Sequence, residues 1–140
     1  MINVITTKWN NVMRSIKFRV WDETNKKWGN PEQLEGDKDG NISYFDMDFG
    51  SHICAEKVTI QQYTGCNDKN NKEIYEGDIV NYKFKNGSED DFTTYRDVVK
   101  FKNGSFDPVC IKEECEDSWY SYELFDIEVV GNIFDNPSLV

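Results

Sequence analysis

Two near-identical pieces of the chain, Lys83-Phe84-Lys85-Asn86-Gly87-Ser88 and Lys100-Phe101-Lys102-Asn103-Gly104-Ser105, each end an alternating apolar–polar run in Asn-Gly. Asn-Gly supplies the two positive-φ residues of a tight turn, so each piece predicts a strand running into a hairpin. An ancestral duplication and two independent hairpin signals explain the pair equally well. The rest of the chain keeps the same two-residue period. Ile16–Val20 alternates as a half-buried strand does, and Trp28 marks the return after the polar turn Glu23–Lys27. Ile42–Phe45, Val58–Tyr63, Asp78–Phe84, Tyr95–Phe101, Phe106–Ile111 and Asp126–Phe134 complete the expected strands. Only Cys110–Asp117 or Trp119–Phe125 has a claim to helix, and neither is well capped. The expected class is mainly β.

A chain of 140 residues fits one domain, or one domain with a small appendage. Apolar content is low at 38%, but 14% aromatic residues offer large rings to fill a core. The net charge of -10 argues against a direct nucleic-acid binder, which would carry a basic patch. No apolar run approaches the ~20 residues of a membrane span, and no signal-peptide core is visible, so a cytoplasmic location is expected and no membrane partner.

Four cysteines are present, Cys54, Cys66, Cys110 and Cys115, and a reducing compartment predicts free thiols. A zinc site using His52, the single histidine, is the alternative. The spacings His52-x-Cys54 and Cys110-x₄-Cys115 do not match the paired short spacings of such sites, so no metal or other cofactor is expected. Asp37-x-Asp39-x-Asn41 suggests a calcium loop, but the sixth position is Ile42 where glycine is needed; a hairpin loop fits instead. The run Asn67–Glu73 fails the same template and predicts a solvated turn, and Gly77 fits a turn before a strand. One histidine and no phosphate loop make an enzyme the least supported class.

Charge is unevenly placed. Residues 1–50 carry 7 basic and 8 acidic side chains, residues 51–112 carry 9 and 10, and residues 113–140 carry no base and eight acids. Glu113, Glu114, Glu116 and Asp117 lie beside Trp119, Tyr120 and Tyr122. Such a run suits a partner-binding surface, since rings supply contact area and carboxylates steer toward basic partners. The same rings serve equally as core or subunit-interface residues.

The stretch Tyr63–Val80, with Tyr63-Thr64-Gly65 and Tyr75-Glu76-Gly77-Asp78-Ile79-Val80 at its ends, resembles the signature of the YopX family, small proteins of phages and prophages in Gram-positive bacteria. The opening Ile16–Asp22 and the closing Glu128–Pro137 agree in order and spacing. Cys66 and Asn71 depart from the family pattern, which commonly has an aliphatic residue and a glycine there. The resemblance implies a β-rich fold with an SH3-like small barrel in the C-terminal part, and a homo-oligomer in the host bacterial cell. It divides the chain into an N-terminal extension or arm (1–12), an N-terminal β part (13–62) and an SH3-like part (63–140). Met1–Val12 is a short pairing strand, an arm or an upstream start. The resemblance carries no reaction.

Two functions are therefore expected. The first is an accessory protein that binds a host protein with a basic surface, most concretely an acidic inhibitor of an anti-phage defence or nucleic-acid-binding protein. The second is an oligomer that binds a small molecule or nucleotide signal in pockets between subunits, which the acidic surface argues against unless basic residues such as Arg96, Lys100 and Lys102 line the pocket; a structural or regulatory prophage protein stands behind both.

Overall fold

The computed structural model describes residues 5–9, 12–29, 31–39, 42–46, 51–54, 58–85, 91–109 and 124–140. Mainly β structure is what they form. They divide into two compact units, Met1–Tyr63 and Thr64–Val140.

In the first unit, β1 (Ile5–Trp9) and β2 (Val12–Ile16) form an antiparallel pair. The strand expected over Ile16–Val20 is interrupted at Lys17, so β3 is Phe18–Asp22. It pairs with β4 (Lys27–Gly29), Trp21 opposite Trp28, and with the start of Val58–Asn67, Val20 opposite Ile60. Asp22 closes the intervening turn: its carboxylate accepts from the Thr24 and Asn25 backbone N–H groups and the Asn25 side chain. Burial alone would raise this carboxyl; the Asn25 and Thr24 hydrogen bonds and the Lys27 charge outweigh burial and hold it below its ordinary range. On one face of β3, Arg19 donates to the buried Gln61 side chain (2.8 Å) and lies over the Trp28 ring (4.6 Å). Lys17 lies over Tyr63 in the same way. Next in the chain come β5 (Pro31–Gly36), β6 (Ile42–Asp46) and β7 (Ser51–Cys54), a three-stranded antiparallel meander. The Asp39 N–H donates to Asp37 Oδ1, a hairpin turn where the sequence hinted at calcium. His52 sits in β7 opposite Phe45.

β8 (Val58–Asn67) runs on into the second unit, where β9 (Glu73–Tyr75) lies beside it. β10 (Asp78–Lys85) follows, then β11 (Phe92–Val98), β12 (Lys100–Lys102), β13 (Ser105–Asp107) and β14 (Leu124–Asn132), and a 3-10 turn at Pro137–Leu139 ends the chain. β10 is central, antiparallel to β11 and β14. The strand expected over Tyr95–Phe101 breaks at Val99. Its backbone is taken by the 77–78 turn: Gly77 N–H donates to Val99 O and Val99 N–H donates to Asp78 O, both at 2.8 Å. Asn103 (φ 52) and Gly104 (φ 84) make the tight turn that Asn-Gly predicts, closing β12 on β13 with Lys102 opposite Ser105. The Asn86-Gly87 turn and both helix alternatives up to residue 123 lie outside the described residues; Leu124 and Phe125 are strand.

Ile74, Val80, Val99 and Val109 form the core of this unit, with Cys66, Tyr82, Phe106, Ile127 and Val129 packed around them. Each fully buried aliphatic side chain contributes about 1.5–3 kcal/mol. The last strand bends twice against β10, once beside Gly131 and once where Asp126 (φ 53) is left over between Glu128 and Phe125. Lys83 reaches Asp126 across that second bulge (2.9 Å).

The expectation of four free thiols is corrected here, because Cys66 is disulfide-bonded. Compartment reasoning weighs the redox environment and carries no information about proximity; Cys66 is partly buried against the core. Cross-links typically stabilise by ~2–4 kcal/mol. Thermal melts should therefore show a lower Tm for the wild type in excess dithiol, and no further drop for Cys66→Ser.

Candidate functional site

Directly opposed residues of an antiparallel pair project to the same face. Tyr82 opposes Tyr95 and Val80 opposes Asp97, so Val80, Tyr82 and Phe84 of β10 share a face with Thr93, Tyr95 and Asp97 of β11. The inner end of this face is core. Its outer end is a set of rings: Tyr82 stacks on Tyr95 (centroids 5.7 Å, planes 22° apart) and Phe84 meets Tyr95 edge-on at 6.4 Å. A second pair borders the same core. Phe101 and Phe106 oppose one another across the β12–β13 hairpin and make an edge contact at 5.1 Å. Tyr82 and Phe106 pack inward against Val80, Val99 and Val109, while Tyr95 stays 44% exposed and Phe101 57% exposed. The inner rings thus anchor the outer ones on strands, and large apolar area is left in water.

The local field is negative. Burial raises the Tyr82 hydroxyl above its ordinary value, and the charges of Asp97 and Asp107, then Tyr95, raise it further. Among the described residues no Lys or Arg ion-pairs with Asp97 or Asp107. Among the described residues Asp97 accepts from its neighbour's backbone, Val98 N–H (2.8 Å).

The seven residues proposed from sequence, Glu113, Glu114, Glu116, Asp117, Trp119, Tyr120 and Tyr122, lie outside the described residues. Arg96, Lys100 and Lys102 are among the described residues. Arg96 occupies the opposite face of β11 from Tyr95 and donates to Asn81 Oδ1 (2.9 Å). Lys100 and Lys102 project from the side of the hairpin away from Phe101 and Phe106. Sequence reasoning missed the aromatic face itself. Its signal was Phe101, inside the Asn-Gly repeat, read only as a strand residue. Among the described residues no three His, Cys, Asp or Glu side chains converge as a metal site requires.

Two buried carboxylates join the segments around this face. Asp68 Oδ1 accepts from the Asn70 and Lys72 backbone N–H groups, and Oδ2 accepts from Val129 N–H of β14 (3.0 Å). Asp78 Oδ2 accepts from Tyr75 N–H (2.8 Å) and Oδ1 from the Asn132 side chain (3.2 Å). Asp68 and Asp78 lie in one of the sequence pieces singled out above, Val129 and Asn132 in another. The family model described as YopX protein matches residues 17–140. The chain belongs to the YopX family. The YopX signature pieces Tyr63–Val80 and Glu128–Pro137 are thus held to one another by hydrogen-bonded acids, which accounts for them structurally. The positive φ of Asn71 (66°) and Gly77 (75°) fits the turns expected of a YopX chain at those positions.

A crystal structure of protein EF1440 from Enterococcus faecalis is similar to this YopX chain, at 25% identity and a TM-score of 0.52, over 89% of this chain and 96% of that one. A search of curated proteins gave no match. No helix among the described residues is long and apolar enough to cross a membrane.

Proposed function

We propose that this YopX-family chain is a phage or prophage accessory protein that acts by binding a host protein, not by catalysis, and that its partner presents a basic surface. The observation that supports this is the aromatic face of the second unit. Tyr95 and Phe101 stand in water on strands, backed by Tyr82 and Phe106, and the neighbouring acid Asp97 makes no ion pair among the described residues. Preorganised rings with counter-charges are the usual make-up of a protein-recognition patch. In the sequence, residues 113–140 carry eight acids and no base, so an inhibitor that occupies the basic channel of a nucleic-acid-binding or defence protein is the concrete form.

Affinity capture from host lysate checks this. Specific partners should be retained at low salt and fall away as ionic strength rises, since exposed charge pairs are screened within about 10 Å at 0.1 M. A captured complex indifferent to salt, and indifferent to neutralising Glu113, Glu114, Glu116 and Asp117, would remove the electrostatic inhibitor from consideration.

A further inference from the structure

We infer that Asn103 is a site of spontaneous covalent modification, at which the Gly104 backbone nitrogen attacks the Asn103 carboxamide and the tip of the β12–β13 hairpin becomes an isoaspartyl linkage. The modification is independent of partner binding and sets how long the second unit keeps its native hairpin.

In the sequence, asparagine precedes glycine only at Asn86-Gly87 and Asn103-Gly104; every other asparagine is followed by a residue with a side chain. A side chain beside the attacking amide crowds it, and glycine has none. The fold leaves the second pair open. Residues 100–105 are all exposed, and apart from its chain neighbours no heavy atom lies within 4 Å of where a Cβ on Gly104 would stand. Among the described residues neither the Asn103 carboxamide nor the Gly104 N–H makes a hydrogen bond. The carboxamides of Asn25, Asn67 and Asn132, by contrast, are bonded to Asp22, Asn71 and Asp78. The chemistry balances without a further reagent except water. The Gly104 nitrogen bonds to Asn103 Cγ, the Cγ–Nδ2 bond breaks, and ammonia leaves with the amide proton. Water then opens the succinimide, at the main-chain carbonyl carbon to give isoaspartate or at Cγ to give aspartate. Ring closure requires Asn103 to leave its turn conformation (φ 52), and the hairpin that holds it has only three opposed pairs. Short exposed elements open locally at little cost, so the reaction runs in the folded protein through openings of the hairpin tip. Isoaspartate lengthens the main chain by a methylene, which the two-residue turn between Lys102 and Ser105 does not accommodate. The Phe101–Phe106 contact lies one pair further in, and Phe106 packs against the core.

Peptide mapping by mass spectrometry tests this on the full chain, incubated folded and in urea at neutral and mildly alkaline pH. Both asparagines lie in the hexapeptide Lys-Phe-Lys-Asn-Gly-Ser, so Asn86 and Asn103 should be lost at equal rates in urea. Over an incubation that consumes Asn103 in urea, the folded chain should lose part of it, faster at the higher pH, while Asn25 and Asn132 stay intact. Enzymatic methylation of isoaspartyl carboxylates should label the product. Thermal melts read the consequence in Asn86→Gln, where Asn103 is the one asparagine before glycine. Its aged form should melt below its fresh form, and aged N86Q/N103Q should melt as when fresh. Fresh Asn103→Asp should melt close to wild type, because aspartate adds the charge without the methylene and tolerates the left-handed turn.

Asn103 left intact in the folded chain after an incubation that consumes it in urea overturns the proposal. Conversion led by Asn25 or Asn132 overturns it as well, since their carboxamides are hydrogen-bonded and no glycine follows them. Aspartate without isoaspartate overturns the cyclisation route. Conversion of Asn103 with no change in the melting of aged Asn86→Gln overturns the effect on the hairpin and core. The partner-binding reading is judged separately, by the lysate capture.

Discussion

Asp68→Ala should be among the most damaging single substitutions in the second unit, at about 3 kcal/mol or more. The side chain is 7% exposed, and it serves three backbone N–H groups, those of Asn70, Lys72 and Val129. Alanine leaves all three donors without the acceptor, and the Val129 donor belongs to the distant β14. Chemical denaturation at neutral pH checks the loss. The same residue gives a pH signature. Burial by itself would raise the carboxyl, but the hydrogen bonds from Val129, Lys72 and Asn70 and the Lys72 charge outweigh it and hold it below 3.8. A depressed folded value means that the contribution is complete above the unfolded value and disappears as pH falls through the folded one. Wild-type stability should therefore decline below about pH 4, where the unfolded chain takes up its proton first. Asp68→Ala should show a shallower decline over that range, with the remainder owed in part to Asp22, which is shifted the same way.

Asp78→Ala should cost a similar amount, about 3 kcal/mol. Only 1% of Asp78 is exposed, and its two carboxylate oxygens accept from Tyr75 N–H and from the Asn132 side chain. Asn132 is itself buried, and its Oδ1 accepts from Phe134 N–H (3.0 Å), so removing Asp78 also loosens the turn after β14. A double-mutant cycle with Asn132→Ala separates these effects. The pair should be non-additive by about 1 kcal/mol or more, because each single change already breaks the shared bond. Additive losses would mean that the two residues act independently.

The strands were legible because their signals are local. Alternation located the hairpins, and Asn103-Gly104 specified its own turn chemistry. The strand ends were less so. Val99 looks like any strand residue in sequence, and only its two backbone bonds to the 77–78 turn make it the break between β11 and β12. Asp68 was harder still. A polar run such as Asn67–Glu73 has the composition of a solvated turn, and nothing local shows that its aspartate is roofed by β14. The same holds for the candidate site. Tyr95 and Phe101 lie in strands whose neighbours include buried valines, and which ring stays in water depends on partners far along the chain. Cys66 illustrates the limit most simply, since a cross-link is a statement about distance and sequence spacing does not supply distance.

The central position of β10 has a consequence for synthesis. Its neighbour β11 follows almost at once, but β14, which covers its other edge and supplies donors to both Asp68 and Asp78, is made well after it. Until it emerges from the ribosome, β10 presents an open edge and two buried-acid sites lack their partners. This unit should consequently acquire its structure late, after translation of residues 124–132, and nascent chains stalled before that point should remain protease-sensitive.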